Sequence, residues 1–476
     1  MEECPIDHRG ESAKERSQRT SFSQCLLPMI TDKCAVGHVT IHILPNDVLL
    51  EVFFLYQELN PTDRSWWQTL VHVCRIWRYT IFASPLRLHL VLKCTPMTPV
   101  RKSLNIWPPL PILIQHDTRC SDGDESITAA LAHRDRVSEI SLTCPFLEER
   151  FATLMQRPFP ELKYVCLVPS ERMDLSEAFL GGSAPSLRAV VLHRIAFPAL
   201  PKFLLSTGHL VGLELWSIPN TGYISPEAMA TCLAGLPLLE HLRIEYESSA
   251  SRPNQTNPPP FTRTVLPTLI SFHFGGASMY LDDLTARIDA PALQTLLIKL
   301  SGPTYRVSQL SGFISRAERP KLPTRVMVKF YELFAYFKFF PSDSFSLTIR
   351  RGGGLSLIAL VCQELSPFLS HVERLELHDR YFPQFHPNDM NMDTLQWLEL
   401  FQPFISVQSL CVSTRLVPLI APALQELTGA RAIEVLPELH ILFLEEGQPS
   451  RSVEKAIEAF TATRLLLNHP VVIRQW

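Results

Sequence analysis

Several patterns that would assign a chemical activity are missing from this chain. It has no G-x-S-x-G nucleophile turn, no H-E-x-x-H zinc pair, no G-x-G-x-x-G dinucleotide loop and no P-loop. Its 11 cysteines lie singly between Cys4 and Cys411 with no C-x-x-C pair, which is typical of small buried hydrophobic residues in a reducing compartment. The sequence therefore predicts a protein that is not an enzyme and that needs no metal or cofactor.

Charge and hydropathy exclude two further classes. The 44 basic and 47 acidic residues nearly cancel, and no run of basic residues is longer than two, so neither nucleic acid nor an anionic membrane is an expected partner. No uncharged apolar segment is long enough to span a bilayer, since the richest ends at Cys362. The first residues, MEECPIDHRG, lack the apolar centre of a signal peptide. We expect an intracellular protein of the cytoplasm, the nucleus or both.

What the chain does contain is a helical pattern between residues 43 and 85. Pro45 suits a first helical position and Asp47 suits the first turn. Apolar residues then recur at helical spacing up to Tyr56, and the pattern breaks near Pro61. A second helix is predicted from Trp66 to Pro85. Its apolar positions are Leu70, Val73, Cys74, Trp77 and Ile81.

This segment has more apolar side chains than its own core can hold. Phe54, Leu55 and Trp66 lie off the main apolar stripes. A unit of about forty residues has too little interior to bury them all. The surplus is covered either by the rest of the chain, as in a helical cap on a larger domain, or by a partner.

The segment resembles an F-box, the motif that docks onto the Skp-type adaptor of cullin–RING ubiquitin ligases. The likeness lies in Leu44-Pro45-x-Asp47-Val48-Leu49 and Val73-Cys74-x-x-Trp77-Arg78, with a longer loop between the halves. The stretch LVHVCRIWRYTIFASPLRL and the following TPVRKSLNIWPPLPILI are similar to the expanded F-box family of mushroom-forming fungi. The resemblance implies docking helices, with some side chains pointing inward. The residues implied are Leu44, Pro45, Val48, Leu49, Val52, Phe53, Leu70, Val73, Cys74 and Trp77.

A second pattern repeats along the remaining chain. Apolar residues fall at positions i, i+3 and i+5, and successive copies begin 23 to 35 residues apart except across one gap of 79 residues. Two degenerate copies are predicted in that gap, at 326–330 and 345–349. The copies begin at Val137, Leu162, Leu187, Leu210, Leu239, Leu269, Leu293, Val372, Val407 and Leu439.

This L-x-x-L-x-L period resembles leucine-rich repeats. The implied fold class is α/β: a small N-terminal helical F-box followed by an irregular leucine-rich-repeat-like solenoid, with a curved, mostly parallel sheet and outer helices and loops. The asparagine or cysteine that usually closes each repeat is absent from all ten clear copies. An unrelated α/β fold with similarly spaced strands is the alternative.

The predicted organisation has five parts. They are a disordered arm at 1–40, the F-box at 41–85, linker strands and a helix at 86–134, the solenoid at 135–452, and a capping helix with a tail at 453–476. Ser249 to Thr264 is predicted as a surface loop.

The resemblance implies a substrate-recognition subunit that binds a Skp-type adaptor, through it a cullin, and a target protein. Target contacts are expected from polar residues interleaved with the buried ones on the strands. Trp216 is the first choice, either as an exposed interface residue or packed against its neighbouring strand. The full set is Tyr164, Glu214, Trp216, His241, Arg243, Glu245, His273, Arg374 and Glu376. Two alternatives stay open: an interaction scaffold outside any ligase, and an α/β enzyme with an unrecognised site.

Overall fold

The structure is a computed structural model that divides into two units, one ending at Leu88 and one spanning His89–Trp476. The predicted arm at 1–40 and most of the predicted loop at 249–264 lie outside the described residues. The described residues are 44–59, 66–84, 90–95, 98–116, 124–144, 149–247, 262–302, 305–317, 322–331, 334–341, 345–350, 354–379, 394–427, 434–445 and 451–476.

The first unit, called the helical unit below, contains α1 (Asn46–Leu59), α2 (Trp66–Val71) and α3 (Arg75–Ala83). The prediction of one helix from Trp66 onward is wrong, because a turn between α2 and α3 interrupts the helix. Cys74 has extended backbone angles, and its Sγ accepts a hydrogen bond from the Trp77 backbone N–H. A side chain that caps a helix in this way satisfies a donor left open by the first turn, so a new helix starts here.

A small core holds the three helices together. Leu49, Phe53, Trp67 and Ile81 are buried. The Phe53 ring meets the Trp77 ring edge-on at 5.0 Å between centroids, a favoured aromatic geometry. Each helix therefore buries apolar side chains in this core.

The second unit, called the repeat unit, is built from strands in a regular succession. Sixteen of the strands in the described residues form one sheet in the order β1-β2-β3-β4-β6-β8-β9-β11-β13-β16-β15-β14-β17-β18-β19-β20. The strands are β1 Leu90–Lys93, β2 Ile112–His116, β3 Val137–Cys144, β4 Tyr164–Pro169, β5 Met173–Asp174, β6 Ala189–His193, β7 Ile195–Ala196, β8 Gly212–Ile218, β9 His241–Tyr246, β10 Thr264–Val265, β11 Ser271–Ala277, β12 Ile288–Asp289, β13 Thr295–Ser301, β14 Arg325–Phe330, β15 Phe334–Phe340, β16 Phe345–Arg350, β17 Arg374–Asp379, β18 Ser409–Val412, β19 Ile441–Leu444 and β20 Val472–Gln475.

Helices fill the crossovers between many of the parallel strands, as parallel pairing requires a long return connection. They are α4 Val100–Ile106, α5 Asp124–Leu131, α6 Glu149–Leu154, α7 Leu200–Leu204, α8 Pro226–Ala234, α9 Ser278–Arg287, α10 Leu310–Ser315, α11 Gly354–Glu364, α12 Ser366–Leu369, α13 Thr394–Phe401, α14 Val417–Gln425 and α15 Arg451–Leu466. This succession confirms the predicted α/β class with a mostly parallel sheet.

The repeating apolar residues form continuous rows across the sheet. The i+3 positions lie directly opposite one another, and so do the i+5 positions. All three positions of every clear copy are buried except Leu293 and Leu444. Burying each leucine in such a row contributes about 1.5–3 kcal/mol before the entropy of ordering the chain is subtracted. The i+3 row begins Ile140, Val165, Val190, Leu213, Leu242, Phe272 and Leu296.

The predicted degenerate copies are strands β14 and β16, but an additional strand lies between them. β15 pairs antiparallel with both neighbours, so β13 pairs with β16 and β14 pairs with β17. Its sequence FAYFKFF alternates between buried and half-buried residues. The i, i+3, i+5 pattern did not reveal β15, although its buried residues alternate with the same period of two as those of β14 and β16.

The sheet continues at both ends beyond the predicted solenoid. In residues 86–134, where the sequence predicts linker strands and a helix, β1 and β2 pair in parallel with each other and with β3. At the other end, the predicted tail contains β20, which pairs in parallel with β19. The side chain of Arg464 on α15 is fully buried, and its Nη2 donates to the carbonyl oxygens of Pro437 at 3.1 Å and Leu439 at 3.0 Å. The capping helix is therefore fixed by polar contacts as well as by apolar ones.

Candidate partner-binding surfaces

The helix α1 carries two apolar stripes, and only one of them belongs to the core of its unit. Leu49 and Phe53 are buried, at 0% and 1% exposure. The other stripe has the spacing i, i+4, i+7 and i+11 and stays exposed. It consists of Val48 at 41%, Val52 at 44%, Leu55 at 59% and Leu59 at 80%. Single exposed apolar residues are common on proteins, but a continuous exposed apolar stripe on a helix is typical of a docking surface.

Helix α3 and the turn before it also expose apolar side chains. Val73, Ile76 and Tyr79 are exposed at 55%, 40% and 71%. Together with the exposed stripe of α1 they are called the helical apolar face below. The face also includes Leu44 and Tyr56.

The predicted adaptor-binding residues divide between this face and the core. Leu44, Pro45, Val48, Val52 and Val73 are exposed. Cys74 and Trp77 are half-buried. Leu49, Phe53 and Leu70 are buried, so these three side chains are not accessible to a partner. Leu55, Leu59, Ile76 and Tyr79 were not among the predicted residues, although their helical spacing was visible in the sequence.

The repeat unit exposes a different kind of surface. The residues between the buried rows form one side of the sheet, called the interleaved face below. On it, Trp216 lies beneath the guanidinium group of Arg243, whose Cζ is 3.2 Å from the ring centroid. The indole Nε1 donates to Glu214 Oε2 at 2.8 Å, and Arg243 Nη2 donates to Glu245 Oε2 at the same distance. His273 Nδ1 lies 3.4 Å from Arg243 Nη1.

These groups, with Lys299, are called the Trp216 cluster. Lys299 Nζ is 3.5 Å from Glu245 Oε1. Burial alone would raise the pKa of Glu245, but hydrogen bonds and charge from Arg243 and Lys299 lower it. The pKa of His273 is lowered, first by burial and then by the charge of Arg243. The cluster therefore presents an aromatic ring held among paired charges at neutral pH.

Local backbone geometry places Trp216 in this cluster. The register between β8 and β9 shifts after Leu215, and Ser217 has a positive φ of 49°. Such an irregularity redirects side chains at the end of a strand. On β11, Gly275 lies next to Glu245, and a Cβ at this position would come 2.6 Å from the Glu245 Cγ. The absence of a side chain at Gly275 thus leaves room for the carboxylate.

The other predicted target-binding residues lie elsewhere on the sheet. Tyr164 is half-buried on β4, where burial and then the neighbouring Cys166 raise its pKa. His241 is exposed at the start of β9. Trp216 is half-buried and packs against Arg243 of the neighbouring strand β9. A contact between Trp216 and a target protein stays a prediction. Lys299 and His193, whose ring centroid is 6.4 Å from that of Trp216, were not predicted.

Arg374 and Glu376 belong to a second group, which also includes Arg325 on β14. The Glu376 side chain is 1% exposed and accepts hydrogen bonds from Arg325 Nη2 and Arg374 Nε, both at 2.7 Å. The His378 Nε2 lies 3.7 Å from the same carboxylate. Burial would raise the pKa of Glu376, but His378 and the two guanidinium groups lower it to about 2. The carboxylate is therefore ionised at any physiological pH.

The described ranges provide neither a metal-binding cluster nor a membrane-spanning helix. No group of three or more histidine, cysteine, aspartate or glutamate side chains there is placed to hold a metal ion. In the same part of the chain, no helix has the length and apolar character needed to cross a bilayer.

Comparisons with known proteins leave the family of this chain open. No family model and no curated protein matches the sequence. Among solved structures, the chain is similar to the leucine-rich repeat-containing protein LegL7 from Legionella pneumophila. The two share 12% identity over 78% of this chain and 98% of that one, with a TM-score of 0.27.

Proposed function

We propose that this chain is the substrate-recognition subunit of a Skp–cullin–F-box type ubiquitin ligase. The helical apolar face would bind the Skp-type adaptor, which brings the cullin, and the interleaved face would bind a target protein. The single observation that carries the proposal is the exposed stripe Val48, Val52, Leu55 and Leu59 on α1. It lies in the segment whose sequence resembles an F-box.

The contribution of such a subunit to catalysis is positional. It makes and breaks no bond itself. Holding a target close to the ubiquitin-charged enzyme raises its effective concentration, commonly to about the millimolar range for a flexible tether. This replaces a slow bimolecular encounter by one within a complex.

The two surfaces suit the two roles. An apolar helical stripe fits a groove on a constant partner, which removes it from water for as long as the complex lasts. A surface of partly exposed charges around an aromatic residue fits an exchangeable target, because charge pairs provide selectivity and a fast encounter.

The test is co-expression of the full chain with a Skp-type adaptor. We expect the wild-type chain to co-purify with the adaptor, and Val52→Glu to reduce capture at least about tenfold, because an unpaired carboxylate would be buried in an apolar contact. Leu205→Glu is the matched control, since Leu205 is also apolar and is 67% exposed but belongs to the repeat unit. Melting temperatures of both variants establish that each is folded.

Absence of capture by the wild-type chain would overturn the proposal. If the wild-type chain captures the adaptor, a pull-down from cells distinguishes a ligase subunit from an interaction scaffold. A cullin should accompany the adaptor if the chain enters a ligase, and the adaptor alone would indicate the scaffold.

A further inference from the structure

The interleaved face contains an arginine pair at the start of neighbouring strands. Arg325 of β14 lies directly opposite Arg374 of β17, and the row continues through Ser409 of β18. Like charges placed opposite each other repel, and here Glu376 compensates by accepting one hydrogen bond from each guanidinium. The arrangement thus fixes two cations side by side.

Within the described part of the chain, this pair of arginines uses only some of its hydrogen-bond donors. An arginine has five N–H donors in a planar fork. Arg325 contributes Nη2 to Glu376, and its Nε is buried without a hydrogen-bond partner among the described residues. Arg374 contributes only Nε to the same carboxylate. The guanidinium carbons lie 4.5 Å from the Phe340 ring centroid and 5.5 Å from the Phe443 ring centroid, contacts that hold the forks in place.

The two arginines line a pocket of about 420 Å³. Its wall also contains Gln408, Ser409 and His440, whose side chains can donate hydrogen bonds, and one carboxylate, Glu373. Two arginine forks match the oxygens of a phosphate or carboxylate group, which arginine binds through paired hydrogen bonds. Glu373 opposes an anion and should weaken its binding.

We propose that this pocket binds an oxyanion, a phosphate monoester or a carboxylate, held between Arg325 and Arg374. Glu376 is a positioning residue that keeps the two forks apart and oriented. That the anion is carried by a target protein rests on the function proposed above. Anion binding itself does not depend on it.

The test is isothermal titration calorimetry of the full chain without adaptor, at low ionic strength. The probes are inorganic phosphate, N-acetyl-phosphoserine amide and N-acetyl-glutamate amide, of which the last two distinguish a phosphorylated from an acidic side chain. We expect one of these amides to bind, with an affinity that falls as salt is added. Arg325→Gln and Arg374→Gln should each weaken binding at least about tenfold, which is the effect of losing a charged hydrogen bond.

Two further variants make the result specific to this pocket. Glu373→Gln should tighten binding a few-fold, because it removes the opposing charge. Arg188→Gln should change nothing, since Arg188 is an exposed arginine one residue before β6, far along the same sheet. Absence of binding by all three probes at millimolar concentration would overturn the inference. Equal binding by the arginine variants and the wild type would overturn it as well.

The experiment separates this inference from the proposed function. A chain that captures the adaptor and binds no anion refutes the pocket alone. A chain that binds the anion and never captures an adaptor refutes the ligase role alone.

Discussion

The helical unit and the repeat unit use the same apolar residue types with opposite results. In the repeat unit each leucine of the i+3 row is covered on both sides by the next strands, as Leu213 is by Val190 and Leu242. In the helical unit α1 has neighbours on one side only, so Leu49 is buried while Val52 is 44% exposed. Hydrophobicity predicts which side chains leave water, and the number of neighbouring elements decides how many can.

The difference extends to what each unit offers a partner. The helical unit exposes apolar side chains, and the interleaved face of the repeat unit exposes charged and aromatic ones. Stable interfaces bury an apolar centre within a polar rim. The helical unit therefore presents the apolar surface that suits a constant partner. The repeat unit presents the charged and aromatic surface that suits an exchangeable partner.

The largest expected effect separates the two units by stability. Leu213→Ala should lower the free energy of unfolding of the repeat unit by about 3 kcal/mol, because it removes a buried side chain from a row that cannot collapse around the cavity. Val52→Ala should change stability by less than about 0.5 kcal/mol, as expected for an exposed position. Urea unfolding followed by circular dichroism measures both.

Repeat proteins can unfold in steps, so hydrogen exchange of the β8 and β9 amides provides a second measurement of the Leu213 variant. Similar losses in the two variants would show that Val52 is not on an unpaired face. The comparison between the units would then be wrong.

A smaller effect comes from the one carboxylate that the repeat unit buries within the arginine pair. The folded pKa of Glu376, about 2, lies below the ordinary value of about 4.3 for an unfolded glutamate. Its stabilisation is therefore complete above about pH 5 and is lost as the pH falls towards 2. The contribution at neutral pH is at most about 3 kcal/mol, and screening by water at the two arginines, whose side chains are 40% exposed, reduces it to on the order of 2 kcal/mol.

Glu376→Gln should lose that amount at pH 7 and should approach the wild type in stability as the pH is lowered. Denaturant unfolding between pH 7 and pH 3 measures the difference. Glu161→Gln, which changes an exposed carboxylate before β4, should stay within about 0.5 kcal/mol of the wild type at pH 7. A difference between Glu376→Gln and the wild type that does not shrink in acid would contradict the lowered pKa.

The repeat pattern was sufficient to predict the sheet, because each copy is a local signal and the copies reinforce one another. The strand β15 escaped it. Its buried residues alternate as those of β14 and β16 do, but a local period does not show that the strand runs antiparallel between them. The break between α2 and α3 also escaped. A cysteine is a rare N-cap, and the apolar spacing from Leu70 to Ile81 fits a continuous helix equally well.

The candidate surfaces were less predictable than the fold. Periodicity shows that Arg243 and Glu245 share a side of β9, but only the register places Arg243 beside Trp216 and His273 of the neighbouring strands. Arg325 and Arg374 are about fifty residues apart in sequence, and no local pattern indicates that they are opposite each other. Contacts across strands depend on how insertions such as β15 shift the pairing.

The smallest expected effect concerns the Trp216 cluster. This partly exposed cluster is the surface of the repeat unit that we compare with the helical apolar face. Arg243→Gln removes the guanidinium that lies 3.2 Å from the Trp216 ring centroid and its ion pair with Glu245. Both contacts are partly exposed, so the loss of stability should not exceed about 1 kcal/mol.

The same substitution has a sharper spectroscopic consequence. The positive charge of Arg243 disfavours the imidazolium form of His273, so its removal should raise the pKa of His273, measured by nuclear magnetic resonance titration of the ring protons. Lys299→Gln should raise that pKa too, but less, because Lys299 is the weaker of the two cationic influences. An unchanged His273 titration in Arg243→Gln would mean that the cluster does not form in solution. The interleaved face would then lack the organised charges that distinguish it from the helical apolar face.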